Sequence, residues 1–216
     1  MKNIGKPCTG KPYARFDEGE QANVAMVRLL RHRQTKGAAT ARSDLRGGDA
    51  CFLLYPVPGF QLKIISGGQT GVDRAALDVA LKHHLPCGGW CPQGRTAEDG
   101  VIPSRYPVVE LREGGYDERT RKNVQEADST VIIYFGQPTG GTEKTLLYCL
   151  QQKKPYLLLD AIELHASRAA WRIKQFSDRL PGGVINFAGP RASDAPNAYL
   201  YASNVIEEFL VLQHLD

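Results

Sequence analysis

The sequence lacks any apolar run that approaches the roughly 20 residues of a membrane-spanning helix. Its first residues, Lys2 and Lys6 among them, are not followed by the apolar stretch of a secretory signal. Cysteines are few, and their odd number of five, without dense spacing, does not fit a framework of disulfides. We therefore expect a cytoplasmic protein with reduced thiols, neither secreted nor inserted in a membrane.

The signatures of several enzyme classes are also missing. The chain has no Walker A sequence, no GxGxxG dinucleotide fingerprint, no GxSxG elbow and no HExxH pair. A zinc site is not expected, because Cys87 and Cys91 have no second ligand pair downstream, and His83 and His84 would point about 100° apart on a helix. We predict that no metal is held by protein side chains.

Charge is distributed unevenly along the chain. The formal net charge is +4, yet residues 1–60 carry 10 Lys and Arg against 5 Asp and Glu, whereas residues 61–216 carry 17 against 18. In the first segment only residues 20–33 have the pattern of a helix. We expect residues 1–60 to be a largely disordered N-terminal extension, with nucleic-acid binding through its basic residues as the alternative. Residues 61–216 are then the folded domain.

From residue 61 onward, short apolar runs alternate with amphipathic stretches, as in a wound α/β sheet. The apolar runs predict strands at residues 62–66, 107–111, 130–135, 156–159 and 184–187. The amphipathic stretches predict helices at residues 72–83, 117–127, 143–152, 166–179 and 197–214. We therefore predict a Rossmann-like three-layer αβα sandwich with a mainly parallel sheet of about five strands.

A glycine-rich turn, SGGQTGVDR at residues 66–74, follows the first predicted strand and opens the first helix. Its glycines let the backbone take positive φ angles and approach a ligand closely. The free N–H groups and the dipole of a helix N-terminus attract a phosphate-like charge. The turn is therefore a candidate anion site, and a tight strand-to-helix turn without a ligand is the alternative.

A second glycine turn, GQPTGGTEKT at residues 136–145, follows the strong central strand. The carboxyl ends of parallel strands share one edge of a sheet, where ligands of open α/β sheets bind. We expect both turns to face one crevice at that edge. Thr139 or Thr142 could contact the ligand there, or could instead cap the helix that follows.

Four segments in combination resemble one family: GGQTGVDRAAL (residues 67–77), PQGR (residues 92–95), TGGT (residues 139–142) and AGPRAS (residues 188–193). They resemble the molybdenum carrier family, which is grouped with the YpsA-like members of the SLOG superfamily. That family is similar to the molybdenum cofactor carriers and to the LOG, or lysine decarboxylase-like, phosphoribohydrolases. The resemblance implies a Rossmann-like domain, usually a homo-oligomer, which binds a nucleotide, a phosphorylated pterin or the molybdenum cofactor between the two glycine turns.

The resemblance also implies an alternative activity. In LOG proteins the pattern PGGxGTxxE supplies a glutamate that, with a separate arginine, is implicated in cleaving the N-glycosidic bond of a nucleotide. Here the third residue after Thr142 is Thr145, and the acidic residue Glu143 follows Thr142 directly. A shift of two positions turns a helical side chain by about 200°. We therefore expect a carrier or sensor, with a phosphoribohydrolase that uses Glu143 or Asp73 as the alternative.

Several further side chains complete the predicted site. Arg95 lies on a polar loop, where its guanidinium could hold a phosphate or simply be exposed, and Arg74 could reach the ligand from the first helix. Arg119, Thr120 and Asn123 could donate to an anion or form a solvated helix face. The predicted ligand-binding residues are Gly67, Gly68, Gln69, Thr70, Gly71, Arg74, Arg95, Thr139, Gly140, Gly141, Thr142 and Glu143.

Overall fold

A computed structural model describes residues 62–213 of the chain. The predicted extension, residues 1–60, lies outside the described residues, so its disorder and its nucleic-acid binding stay predictions. The described residues contain nine strands: β1 (Lys63–Ile65), β2 (Cys87–Gly88), β3 (Trp90–Cys91), β4 (Thr96–Ala97), β5 (Gly100–Val101), β6 (Val109–Glu110), β7 (Ser129–Tyr134), β8 (Tyr156–Asp160) and β9 (Val184–Ala188).

Five helices alternate with the strands of the main sheet. They are α1 (Val72–Lys82), α2 (Tyr116–Glu126), α3 (Gly140–Gln151), α4 (Ala166–Ser177) and α5 (Ala198–Gln213). None of these helices is long and apolar enough to cross a membrane.

The main sheet has five parallel strands in the order β2-β1-β9-β7-β8. Side chains of β7 alternate between two cores, as the period of a strand requires. Val131 and Ile133 pack with α1, α4 and α5, whereas Ile132 packs with Val124 of α2 and Cys149 of α3. Helices therefore cover both faces of the sheet, which confirms the predicted three-layer α/β architecture.

One predicted strand has a different place in the structure. Residues 107–111 contain only the two-residue strand β6, which pairs with β3 outside the main sheet. The fifth strand of the main sheet is β2, which consists of Cys87 and Gly88 beside β1. A pair of residues is too short for any alternation of apolar and polar side chains, so the sequence pattern could not reveal this strand.

The order of the strands determines which loops meet. β9 comes last along the chain but lies between β1 and β7, with Ile185 beside Ile64 and Phe187 beside Val131. The carboxyl ends of β1, β9 and β7 are therefore neighbours. The two glycine turns and the loop after β9 meet at this edge, which is where a crevice forms in such sheets.

Candidate functional site

A cleft with a volume of about 300 Å³ opens at the carboxyl edge of the main sheet. The turn after β1 contributes Gly67 and Gln69 to its lining, and the start of α3 contributes Gly140, Gly141 and Thr142. The structure thus brings residues of both glycine turns to one cavity. Further lining residues come from α1, α2, α3 and the loop after β9.

Three N–H groups in the first glycine turn and at the start of α1 already have partners within the protein. The Gln69 N–H donates to Asp73 Oδ2 at 3.2 Å, and the Thr70 N–H donates to Gln69 Oε1 at 3.1 Å. The Val72 N–H donates to the Pro190 carbonyl at 3.3 Å. The start of α1 therefore offers an incoming anion fewer free donors than its glycine pattern suggests.

The start of α3 is more open. The Thr139 side chain does not cap the helix, and the N–H groups of Gly140 and Gly141 have no hydrogen-bond partner within residues 62–213. A Cβ atom built at either glycine meets no atom within 4 Å. Free N–H groups at a helix N-terminus, with open space in front of them, are the ordinary features of a phosphate site.

A buried ion pair connects the two sides of the cleft. Arg119 Nη1 of α2 lies 2.7 Å from Asp73 Oδ2 of α1, and the two side chains are only 13% and 5% exposed. The guanidinium lies directly against Gly67, where a Cβ atom would overlap it. Arg119 Nε is buried and has no hydrogen-bond partner within residues 62–213. An unpaired N–H of this kind is costly, and it is a donor beside the cleft for which the described residues supply no acceptor.

The hairpin of β4 and β5 binds both the first glycine turn and the loop after β9. Glu98, between β4 and β5, accepts hydrogen bonds from the Thr70 hydroxyl and, at 3.2 Å, from the Ser193 N–H. Its neighbour Asp99 binds both Nη atoms of Arg74 at 3.1 Å, and Arg74 Nε donates to the Gly68 carbonyl at 2.8 Å. These contacts hold the turn in one conformation beside the cleft.

The hydrogen bonds that the Glu98 carboxylate accepts make the stability of the fold depend on pH. Burial raises the pKa of the Glu98 carboxyl, but hydrogen bonds from Ser193 and Thr70 and the nearby Arg191 guanidinium outweigh it, so the pKa is below its ordinary value. Stability from such a group is present above the unfolded-state pKa of about 4.3 and is lost as pH falls through the folded-state pKa.

We expect Glu98→Gln to lower the melting temperature at neutral pH, because the amide replaces the ionised acceptor of these hydrogen bonds. Thermal unfolding between about pH 7 and about pH 3 should show the difference from wild type shrinking below about pH 4.3. Glu113→Gln, at an exposed carboxyl before α2, is the control. A difference for Glu98→Gln that is constant with pH would contradict this role of the carboxylate.

Several predicted site residues do not line the cleft. These are Gly68, Thr70, Gly71, Arg74, Arg95, Thr139 and Glu143. Arg95 donates to the carbonyl oxygens of Ile102 and Val108 at 3.1 and 2.8 Å, and to two further carbonyls of the same loop. Glu143 is exposed. Ligand contact stays a prediction for four residues that lie in the first glycine turn or bind to it, which are Gly68, Thr70, Gly71 and Arg74.

Other lining residues were absent from the predicted site. Lys144, Asn186 and Arg191 line the cleft, as do Gly189 and Pro190 of the segment that carries the family resemblance. Asn186 is a buried polar residue in the otherwise apolar strand β9. A buried amide within a central strand is the one sequence signal that could have identified it, because buried polar groups need a partner.

The described cysteines do not form a metal centre. No group of three or more His, Cys, Asp or Glu side chains in residues 62–213 could hold a metal ion. Burial raises the pKa of the thiols of Cys87, Cys91 and Cys149, which keeps them protonated. Since thiolates are the form that binds soft metals, these residues are poor ligands.

Comparisons with known proteins agree with this architecture. Residues 64–210 match the circularly permutated YpsA SLOG family. The chain is also similar to a protein of known crystal structure from Syntrophus aciditrophicus SB, described as "Putative molybdenum carrier protein". The sequences are 44% identical, the match covers 71% of this chain and 96% of the other, and the TM-score is 0.68. A search of curated proteins found no match.

Proposed function

Because this chain belongs to the circularly permutated YpsA SLOG family, we propose that it is a carrier or sensor whose cleft binds a phosphorylated pterin or a nucleotide-derived ligand. The molybdenum cofactor is the first candidate, since the similar protein from Syntrophus aciditrophicus is described as a molybdenum carrier. Function in the cytoplasm as a homo-oligomer is part of the same proposal.

The start of α3 is the observation that carries the proposal. Two N–H groups, those of Gly140 and Gly141, have no partner within residues 62–213, and a Cβ atom at either glycine would meet no atom within 4 Å. Arg119 Nε is a third donor without a partner in that part of the chain. A phosphate group has acceptor oxygens for several such donors at once, and its charge is stabilised at a helix N-terminus.

The cleft suits an organic ligand better than a protein-bound metal. Its volume of about 300 Å³ is at the lower end of ligand pockets, which hold about 300–1,000 Å³. Molybdenum would reach this protein as part of the bound cofactor, coordinated by the cofactor's own donor atoms, because burial raises the pKa of the thiols of Cys87, Cys91 and Cys149 and keeps them protonated. The role of the protein's residues is to bind and orient the phosphorylated part.

The geometry favours binding over nucleotide hydrolysis. Glu143 is exposed and is not part of the cleft lining. Asp73 does line the cleft, but its Oδ2 atom already accepts hydrogen bonds from Arg119 and from the Gln69 N–H. A general base needs a free oxygen within reach of its substrate, and the ion pair with Arg119 leaves Asp73 only its Oδ1 atom for that role. Incubation with nucleoside monophosphates tests this: base release that Glu143→Gln abolishes would replace the carrier proposal with the hydrolase.

Replacement of Gly141 by leucine should block the cleft without harming the fold. The new side chain extends into open space at the start of α3, and leucine is a better helix former than glycine. We expect the affinity for a pterin monophosphate or guanosine monophosphate to fall at least about tenfold. Titration calorimetry measures the affinity, and native mass spectrometry detects any ligand that co-purifies.

Gln151→Leu is the matched control, since it adds the same side chain to an exposed position in the last turn of the same helix. Both variants should keep the wild-type melting temperature or exceed it. Equal ligand affinity in wild type and Gly141→Leu would remove the start of α3 from the binding site.

A further inference from the structure

The charges that line the cleft cancel. Its cations are Arg119, Lys144 and Arg191, and its anions are Asp73, Asp117 and Asp194. Each cation is paired with one of these aspartates. The described residues that line the cleft therefore have no net side-chain charge, although three of them are basic.

The pair of Arg119 and Asp73 is the most buried of the three. Arg119 Nη1 and Asp73 Oδ2 are 2.7 Å apart, and both side chains are largely shielded from water. Shielding strengthens the mutual attraction of the two charges, so a bare anion has to compete with Asp73 for the charge of Arg119.

The other two pairs lie at the rim. Lys144 Nζ of α3 contacts both carboxylate oxygens of Asp117 on α2, at 2.7 and 2.9 Å. Arg191 Nε lies 3.1 Å from Asp194 Oδ2 and 3.6 Å from Glu98 Oε2. These side chains are about half exposed, so the pairs add little to stability, but each carboxylate still opposes an anion that approaches its partner.

We propose that this charge balance excludes free oxyanions, molybdate and inorganic phosphate included, and that the cleft admits an anionic group only as part of an organic ligand. A bare oxyanion would be attracted only weakly, because each cation of the cleft is neutralised by an aspartate and only the partial charges of the Gly140 and Gly141 N–H groups are left to bind it. An organic phosphate adds apolar contacts, and its own N–H and O–H donors can bind the aspartate oxygens. The inference rests on the proposed function and restricts its ligand class.

The test measures the affinity of molybdate and of inorganic phosphate by titration calorimetry in about 0.15 M salt. Wild type should show no saturable binding of either ion up to about 1 mM. Asp117→Asn removes one opposing charge at the rim and should raise the affinity for both ions by about fivefold to tenfold. Asp73→Asn should raise the affinity at the buried site, where Arg119 loses the one ionic partner that it has within residues 62–213.

Asp178→Asn is the control, because it makes the same change in net charge directly after α4, at a residue that pairs with Lys174 and does not line the cleft. It should leave the affinity for both ions unchanged. A purely structural role of Asp73 or Asp117 predicts lost binding, not gained binding, so the direction of the change separates the two explanations.

Tight binding of molybdate by wild type, or no gain in either aspartate variant, would overturn the inference while leaving the cleft as an anion site. If the variants gain molybdate binding but wild type binds neither guanosine monophosphate nor a pterin monophosphate, the charge balance stands. The proposed function then fails for those ligand classes.

Discussion

Gly71→Ala is expected to destabilise the fold by roughly 2–5 kcal/mol. Gly71 has a φ of +73°, which costs an L-residue free energy, and its Cβ would overlap the Pro190 carbonyl oxygen. The same Cβ would lie 2.9 and 3.0 Å from the carbonyl carbon and Cα of Arg191. These are backbone atoms that cannot rotate away. Urea unfolding of the full chain measures the loss.

The loss in Gly71→Ala has two contributions, which are the strain of a positive φ and the overlap of the Cβ with backbone atoms of the loop after β9. Gly140→Ala separates them. Gly140 also has a positive φ, of +54°, but a Cβ there meets no atom within 4 Å. Its cost should be limited to the backbone strain of about 1 kcal/mol. Equal losses in the two variants would show that the contact with the loop after β9 does not contribute.

Arg119→Met should reduce the affinity for the phosphorylated ligand by about 100-fold, because it removes charge-assisted hydrogen bonds inside a shielded cleft. It should also lower the free energy of unfolding by about 3 kcal/mol, since Asp73 would be left as a buried charge without its partner. Calorimetric titration and urea unfolding measure the two effects.

The double variant Arg119→Met with Asp73→Asn distinguishes these effects. Removal of both charges should recover most of the lost stability, because no unpaired charge stays buried. Ligand binding should not recover, because the guanidinium is still absent. Recovery of binding together with stability would mean that Arg119 supports the fold only and does not contact the ligand.

Most elements of the fold could be predicted because their sequence patterns are local. The apolar run of β7 was predicted at residues 130–135 and is observed at Ser129–Tyr134, and the helix predicted at 72–83 is observed at Val72–Lys82. α3 begins three residues before its predicted start at residue 143. Gly140, Gly141 and Thr142 occupy those positions, and neither glycine nor threonine is a strong helix former.

The candidate site could be predicted only in part from the sequence. The convergence of the two glycine turns followed from parallel strand topology, and the lining of the cleft agrees with it. The pairing of Arg119 with Asp73, 46 residues away, depends on how α2 packs beside α1. The loss of free donors at the first turn depends likewise on the distant Pro190 carbonyl. No local pattern encodes either contact.

The central position of β9 has a consequence for synthesis. Until residues 184–188 have left the ribosome, β1 and β7 have no common neighbour, and the middle of the sheet cannot close. A nascent chain that stops before Val184 would expose apolar side chains of both strands, Ile64 and Val131 among them. Closure of the middle of the sheet therefore has to wait for β9, and shortened products are candidates for aggregation and proteolysis.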